Sequence, residues 1–304
     1  MILIKIFDKW IPDEEKLGSG NNKKIWLTNP NNLRICGWFK YLKKTYKKSD
    51  KANEIVTFEN VSEKIAELIA EELKLPHARI GIGSYQGEMG CLSYNILKNN
   101  QIMSEGVSYI SRKYPQYDSE SGKDMETGKY YSLEMILESL GCDELKNNFF
   151  RIVVFDFIIG NSDRHSSNWA IIKNKSGNET FAPLYDNGSS LCALICEDDI
   201  DSYLGNDKMR FHSLVDSKSR TLVRIDANSK KIPTHKCVIE YLHDKYYKET
   251  KDFVEEALRI LNEQKIENIL RKVKKYVSLK RIELLRRYLL EKMNILKTIY
   301  KGSD

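Results

Sequence analysis

Asp163, Asn168 and Asp186 are the residues of this chain whose types and spacing suit chemistry. Asp163 and Asn168 stand five positions apart in Asn161-Ser162-Asp163-Arg164-His165-Ser166-Ser167-Asn168. Tyr185-Asp186-Asn187-Gly188 adds a second carboxylate eighteen residues beyond Asn168. Phosphoryl transfer asks for such a set: a carboxylate to orient an attacking hydroxyl and take its proton, oxygen ligands for a metal on the phosphates, and cations against developing charge. In protein kinases these tasks fall to a catalytic-loop Asp, an Asn five residues later, and the Asp of an Asp-x-Gly turn. Magnesium takes carboxylate, amide-carbonyl and water oxygens, and Asn168 with Asp186 offer two such ligands. Singly, each residue has a plainer reading. Asp163 suits a turn cap, Asn187-Gly188 a hairpin turn, and His165 an orienting hydrogen bond rather than the role of base. Together they weigh more, because Gly160, Asn161, Asp163, Arg164, His165 and Asn168 crowd directly behind the apolar run 152–159.

For Asp186 to return beside Asn168, the residues between must fold back. Segments 169–172 and 181–184 read as two short strands that do this, joined by a Gly/Asn/Ser-rich turn. Upstream, 24–28 and 33–41 have strand character around the turn Asn29-Pro30-Asn31-Asn32. Segment 61–73 reads as a helix, with Ile65, Leu68, Ile69 and Leu73 at helical spacing and Pro76 closing it. Strands over 78–85 and 90–97 follow, joined at Gln86-Gly87-Glu88. The order strand, strand, helix, strand, strand outlines a compact lobe with one helix on an antiparallel sheet. Segments 43–53, 113–129 and 197–220 are polar and read as loops, the last as a mobile excursion. Helices are expected over 132–140 and 145–159 and through the tail 238–300. The resulting division is a lobe over 1–97 and a second over 98–304, with the boundary near 97–105.

At 304 residues, 41% hydrophobic and 30% charged, the chain can bury a substantial core and is not of disordered composition. The net charge of +6 is mild and fits a solvated surface better than a nucleic-acid groove, so no direct nucleic-acid partner is expected. The apolar start, residues 1–10, is short and broken by charges, unlike a signal peptide, and no apolar run spans a bilayer. Six scattered cysteines without a Cys-x-x-Cys pair argue against a disulfide framework or a zinc site. Cys192 and Cys196, the best-spaced pair, sit among apolar neighbours and read as packing. A cytoplasmic protein without membrane attachment is the expectation.

The stretch Phe155-Asp156-Phe157-Ile158-Ile159-Gly160-Asn161-Ser162-Asp163-Arg164-His165-Ser166-Ser167-Asn168-Trp169, with Ala182-Pro183-Leu184-Tyr185-Asp186-Asn187-Gly188-Ser189-Ser190-Leu191, closely resembles the core motifs of the HipA-like serine/threonine kinases. The resemblance is strongest over 130–191 and weaker beyond residue 201. It implies an α+β, bilobal protein-kinase-like fold with a small β-rich N-lobe and a larger helical C-lobe. It also implies ATP and Mg2+, with Asp163 as catalytic base beside His165 and with Asn168 and Asp186 as the magnesium ligands. Leu17-Gly18-Ser19-Gly20-Asn21-Asn22-Lys23-Lys24 resembles the family's phosphate loop, so that Gly18, Ser19, Gly20 and Lys23 are nucleotide-binding candidates. An exposed turn is the alternative for that loop. Lys40 resembles the nucleotide-binding lysine and Glu63 its ion-pair partner, while the backbone of Asn95, Ile96 and Leu97 would hold adenine.

The resemblance implies a protein substrate, and an antitoxin or other regulatory protein as partner if the chain is of the toxin type. There are two departures. Full-length relatives carry an extra N-terminal subdomain for which no room precedes Gly18. The serine that some relatives phosphorylate to silence themselves is replaced here by Leu17, leaving Ser19 as the nearest substitute. Phosphoinositide kinases share a related Asp-Arg-His-x-x-Asn signature. A lipid or small-molecule kinase, and a pseudokinase scaffold, therefore stay open as alternatives. The joint retention of Lys40, Glu63, Asp163, Asn168 and Asp186 speaks against the scaffold.

Overall fold

The computed structural model describes residues 5–16, 23–47 and 50–301. Gly18, Ser19 and Gly20 lie outside them. The first part of the chain is built on strands β1 (Lys5–Ile6), β2 (Ile11–Asp13), β3 (Lys24–Thr28), β4 (Cys36–Tyr41), β5 (Lys44–Lys47) and β6 (Asp50–Val56). Helix α1 (Glu59–Glu72) and strands β7 (Ile80–Tyr85) and β8 (Glu88–Tyr94) follow. Among the described residues six of these strands form one sheet in the order β1-β7-β8-β4-β3-β2, antiparallel except where β1 joins β7. Two local devices set its register. Asn29 accepts the Asn31 amide on its side chain and the Asn32 amide on its carbonyl, closing the β3–β4 turn. Gln86 and Gly87 both have positive φ, 49° and 77°, the signature of the two-residue turn that lets Tyr85 pair with Glu88.

Segment 43–53, expected as a loop, instead forms the β5–β6 antiparallel hairpin. Its low hydrophobicity gave no strand pattern from which the pairing could be read.

α1 ends at Leu73 with Lys74 in the left-handed region, φ 55°. The Leu75 amide returns to the Ala70 carbonyl and the Lys74 amide to Glu71, a Schellman stop made without glycine. α1 binds the sheet to the rest of the molecule. Its Val61, Ile65, Leu68 and Ile69 belong to the large hydrophobic cluster that also holds the helices below, and Glu72 pairs with Lys265 at 2.7 Å. A smaller cluster of Phe7, Leu27, Phe39, Tyr85 and Leu92 fills the sheet's own core.

The remainder is mostly helical. β9 (Ile102–Glu105) and α2 (Gly106–Lys113) come first, then the ribbon β10 (Tyr117–Asp118) and β11 (Lys123–Asp124) inside the expected loop 113–129. Asp118 and Asp124 hold its turns by accepting backbone amides of Glu120, Ser121 and Thr127. α3 (Leu133–Leu140), capped by Ser132, and α4 (Asp143–Ile159) follow. Every residue of α4 from Ile152 to Ile159 is buried, which makes it the central helix. β12 (Ala170–Lys173) and β13 (Glu179–Phe181) pair with each other, and β12 also pairs with β9.

Segment 197–220 is not an open excursion. It holds a 3-10 turn (Glu197–Asp199), α5 (Ile200–Leu204) and α6 (Lys208–Val215). The long helices α7 (His235–Ile260), α8 (Glu263–Val273) and α9 (Leu279–Lys301) close the chain. The polarity that read as mobility serves pairing: Glu197 meets Arg281 and Ser278, and Asp201 meets Lys280.

Candidate active site

The site lies where the sheet faces the loops that follow α4 and β13. Lys40, on β4, extends its ammonium to Glu63 Oε1 at 2.7 Å and to Asp186 Oδ1 at 2.8 Å. Glu63 is buried on the first turns of α1, and its other oxygen, Oε2, accepts the Asn187 amide at 3.1 Å. One carboxylate thus links α1, β4 and the Asp186 turn. Asp186 itself has φ 54°, a left-handed conformation that aspartate tolerates and that turns the chain sharply before Asn187.

The loop 160–168 is built with equal economy. Gly160 ends α4 at φ 65°, and the Asn161 amide returns to the Asp156 carbonyl. Any side chain at 160 would collide with the Tyr288 hydroxyl. Asn161 then donates to Asp156 Oδ1 through its Nδ2 and accepts the Asp163 amide on its Oδ1. Asn168 Nδ2 donates to the Asp163 carbonyl at 2.7 Å, which fixes which end of that amide is oxygen. His165 Nδ1 accepts the Ser167 amide, so this histidine orients the loop, and its ring lines the cleft beside Asp163.

Beneath lies Arg164, 1% exposed. It donates two hydrogen bonds to Asp156, at 2.9 and 2.7 Å, and further ones to the Asn168 and Tyr185 carbonyls and to Asn187 Oδ1. A single guanidinium therefore ties α4, the Asp163 loop and the Asp186 turn together, using the planar fork that lysine lacks. Tyr185 adds a hydrogen bond to the Ser167 carbonyl at 2.9 Å.

Two adjoining cavities open around these groups and share Lys24, Lys40 and Asp186. One, about 310 Å³, is lined by Glu63, Asp163 and His165. The other, about 450 Å³, is lined by Trp26, Trp38, Ile96, Leu97, Met103 and Asn168 among others, and offers apolar and aromatic faces. Asp163 lines the first cavity and Asn168 the second, and Asp186 borders both. Asn95 folds its side-chain amide onto both the amide and the carbonyl of Leu97. Lys23 is turned elsewhere: its ammonium pairs with Glu88 at 2.7 Å on the exposed side of the sheet and lies over the Tyr41 ring.

The charges are graded. Burial pulls Lys40 down, but the Asp186 and Glu63 carboxylates outweigh it and hold its ammonium well above the usual range. Burial pushes Asp186 up, yet Lys40, by charge and hydrogen bond, with Lys24 and Arg164, brings its carboxyl below the ordinary value. Asp163 goes the other way. Burial raises it, His165 and Lys43 oppose the rise, and the charge of Asp186 adds to it. Two carboxyl groups in one cleft are thereby pushed apart, the pattern that separates a proton acceptor from a permanently charged ligand.

Among the described residues no cluster of three or more His, Cys, Asp or Glu could hold a metal by itself. One carboxylate and one amide oxygen beside an open cleft nonetheless suit magnesium, which keeps waters and takes the rest of its ligands from phosphate.

Sequence reasoning missed the second rank of this site: Asp156, Asn187, Trp26, Trp38 and Met103. Asp156 carried a signal, being the one carboxylate inside an apolar helical run, where burial demands a partner. The tryptophans and Met103 carried none, since they come from β3 and β4 of one sheet and β9 of another and meet only in the folded chain.

A β-rich lobe with its lysine–glutamate pair, joined to a helical lobe that carries an aspartate loop and an aspartate turn, defines a kinase-like bilobal fold. The chain belongs to the family of HipA-like C-terminal domains, whose match covers residues 103–279. In solved structures it is similar to the Helicobacter pylori proinflammatory kinase CtkA over 99% of this chain and 100% of that one, at 19% identity and a TM-score of 0.79. It is also similar to HipA of Shewanella oneidensis MR-1, a toxin–antitoxin protein solved with HipB and operator DNA. That likeness covers 96% of this chain and 69% of the other, at 12% identity and a TM-score of 0.50. No curated protein matches it. The family resemblance read from the Asp163 and Asp186 motifs holds.

Proposed function

We propose that this chain is an ATP- and magnesium-dependent serine/threonine protein kinase. The observation that carries the reading is the three-way contact of Lys40 with Glu63 and Asp186 on the same cleft as Asp163 and Asn168. In this reading residues 1–97 form the nucleotide-covering lobe and 98–304 the catalytic one. The cavity lined by Trp26, Trp38, Ile96, Leu97 and Met103 would hold adenine, with the Ile96 peptide groups free to meet its edge because Asn95 already engages those of Leu97. Lys40, held by Glu63, meets the phosphates. Gly18, Ser19 and Gly20 are the phosphate-loop candidates by resemblance alone, and Lys23, paired with Glu88, is not one of the phosphate contacts. Asn168 and the second oxygen of Asp186 are the magnesium ligands.

Magnesium bound there neutralises charge on the phosphate oxygens. Asp163 accepts the proton of a seryl or threonyl hydroxyl as its oxygen bonds the γ-phosphorus. The bond from phosphorus to the bridging oxygen breaks, and its electron pair leaves on ADP. The raised carboxyl of Asp163 suits a proton acceptor, while His165 orients the loop.

The similar structures suggest the setting. A toxin-type kinase of the cytoplasm, restrained by a partner protein as HipA is found with HipB, fits the family. No helix among the described residues is long and apolar enough to cross a membrane. Purified protein given labelled ATP and magnesium is expected to label itself or casein. Asp163→Asn should lower the rate by about 10²- to 10⁴-fold, and Asp186→Ala should remove the magnesium-dependent transfer. Nucleotide binding with no transfer to any acceptor in a cell lysate would replace this reading by that of a binding scaffold. Growth arrest on expression should vanish with Asp163→Asn; equal arrest from both would remove the toxin role.

A further inference from the structure

Behind the Asp163 loop, on the side away from the cleft, runs a buried polar chain that nothing in the proposed transfer uses. Lys292, on α9, is fully buried and donates to Ser219 Oγ at 2.7 Å. Ser219 Oγ lies 3.1 Å from His235 Nδ1, and His235 Nε2 lies 2.9 Å from the Asn161 carbonyl. His235 and Ser219 are themselves buried.

The direction of each bond follows from chemistry. A carbonyl only accepts, so His235 Nε2 carries the hydrogen toward Asn161. Burial, and then the charge of Lys292, hold His235 at about 3, so the imidazole is neutral and its Nδ1 is an acceptor. Ser219 must then donate to Nδ1 and receive from Lys292. Every donor points the same way, toward the Asn161 carbonyl. Asn161 in turn holds the Asp163 amide on its side chain.

Such a chain is expensive. Among the described residues no carboxylate pairs with Lys292, which sits instead under the rings of Phe157 and Tyr288 at 4.5 and 5.5 Å. Burial lowers its ammonium to about 7. An isosteric methionine would pack there without desolvating a charge. What the lysine provides that methionine cannot is the donor that orients Ser219, and through it the tautomer of His235.

We infer that Lys292, Ser219 and His235 are positioning residues, a directed hydrogen-bond relay from α9 through the start of α7 that fixes the Asn161 peptide and so the aim of Asp163. This inference rests on the proposed role of Asp163 in transfer. The relay also explains why His235 stands at the very N-terminus of α7: capped there by Thr234, it can reach a loop 74 residues earlier in the chain.

The experiment compares full-length wild type with His235→Leu, His235→Gln, Ser219→Ala and Lys292→Met. Two readouts are taken: hydrogen exchange of the peptides covering 157–168, and kcat and KM for ATP with casein as acceptor. Glutamine can place an amide N–H where His235 Nε2 stands; leucine cannot. His235→Leu should raise exchange in 161–168 without raising it in β3, β4 or β8. It should lower kcat about tenfold or more with KM for ATP within about twofold, since misplacement at a reacting centre falls on turnover. His235→Gln should restore both measures to within about threefold of wild type, and Ser219→Ala and Lys292→Met should fall between.

Unchanged loop exchange in His235→Leu overturns the relay, as does a His235→Gln protein as impaired as His235→Leu, or a KM that climbs in step with the loss of kcat. If His235→Leu does not fold, Ser219→Ala decides, since it removes a single hydroxyl: wild-type exchange and kcat refute the inference, and the predicted change supports it. A wild-type protein that transfers no phosphate refutes the kinase reading. The exchange comparison would still judge the relay.

Discussion

Arg164 shows how a residue without a reaction step can decide whether there is a site at all. Its guanidinium is enclosed and meets Asp156, Asn187 and two carbonyls that belong to three different segments. Removing one member of a buried ion pair leaves the other charged and unsolvated, which costs about 3–5 kcal/mol. Arg164→Met should therefore destabilise the protein by about that amount in urea unfolding. A loss below about 1 kcal/mol would show that Asp156 finds another partner. The same residue illustrates what was readable. Arg164 was visible in the polar crowd behind α4, but its partner Asp156 was not paired with it. A side chain eight positions upstream on a helix faces a loop residue only once Gly160 has reversed the chain.

At the level of elements, the junction between α4 and its loop is governed by Gly160. It needs a positive φ, and its missing side chain leaves the space taken by the Tyr288 hydroxyl of α9. Gly160→Ala meets both obstacles, strain in the backbone and a clash. It is expected to cost about 2 kcal/mol or more in stability. Combining it with Tyr288→Phe should recover part of that loss, the part due to the hydroxyl, while the φ strain stays. A double-mutant cycle with zero coupling would refute the clash. Element identities followed from local patterns where one face is apolar, as in α1, α4 and β7–β8. They failed where polarity had a partner elsewhere: Glu197 and Asp201 are charged because α9 supplies Arg281 and Lys280, not because their segment is loose.

Across the whole molecule, α1 bridges sheet and helices: its apolar face lies in the same cluster as Ile82 of β7 and Ile266, Ile269 and Leu270 of α8, while the sheet keeps a smaller cluster of its own. The two lobes should consequently unfold together. Far-UV dichroism and the fluorescence of Trp26, Trp38 and Trp169, which sample both lobes, are expected to give coincident transitions; separated midpoints would show that α1 does not couple them. That transition should also carry an acid signature. His235 is held neutral down to about 3, whereas an unfolded histidine takes up a proton near 6.5. Below 6.5 the unfolded chain binds the extra proton and the folded one does not, so stability must fall as pH drops toward 3. The slope approaches about 1.4 kcal/mol per pH unit from this group. His235→Gln should flatten that part of the profile, and an unchanged slope would place the acid sensitivity in other groups.

By itself the sequence determined the chemistry on offer: two carboxylates and an amide at spacings that suit a metal and a proton acceptor, a lysine on a strand, a glutamate on a helix. These are short-range facts, because the Asp163 and Asp186 motifs each sit within one turn whose backbone is dictated locally. Tertiary structure alone added Asp186 to the Lys40–Glu63 pair that the resemblance implied, placed the tryptophans beside the neighbouring cavity, and set a buried lysine of α9 behind the loop. Those contacts depend on how helices and sheet pack through a shared core, and packing joins residues whose separation along the chain carries no information about their distance in space.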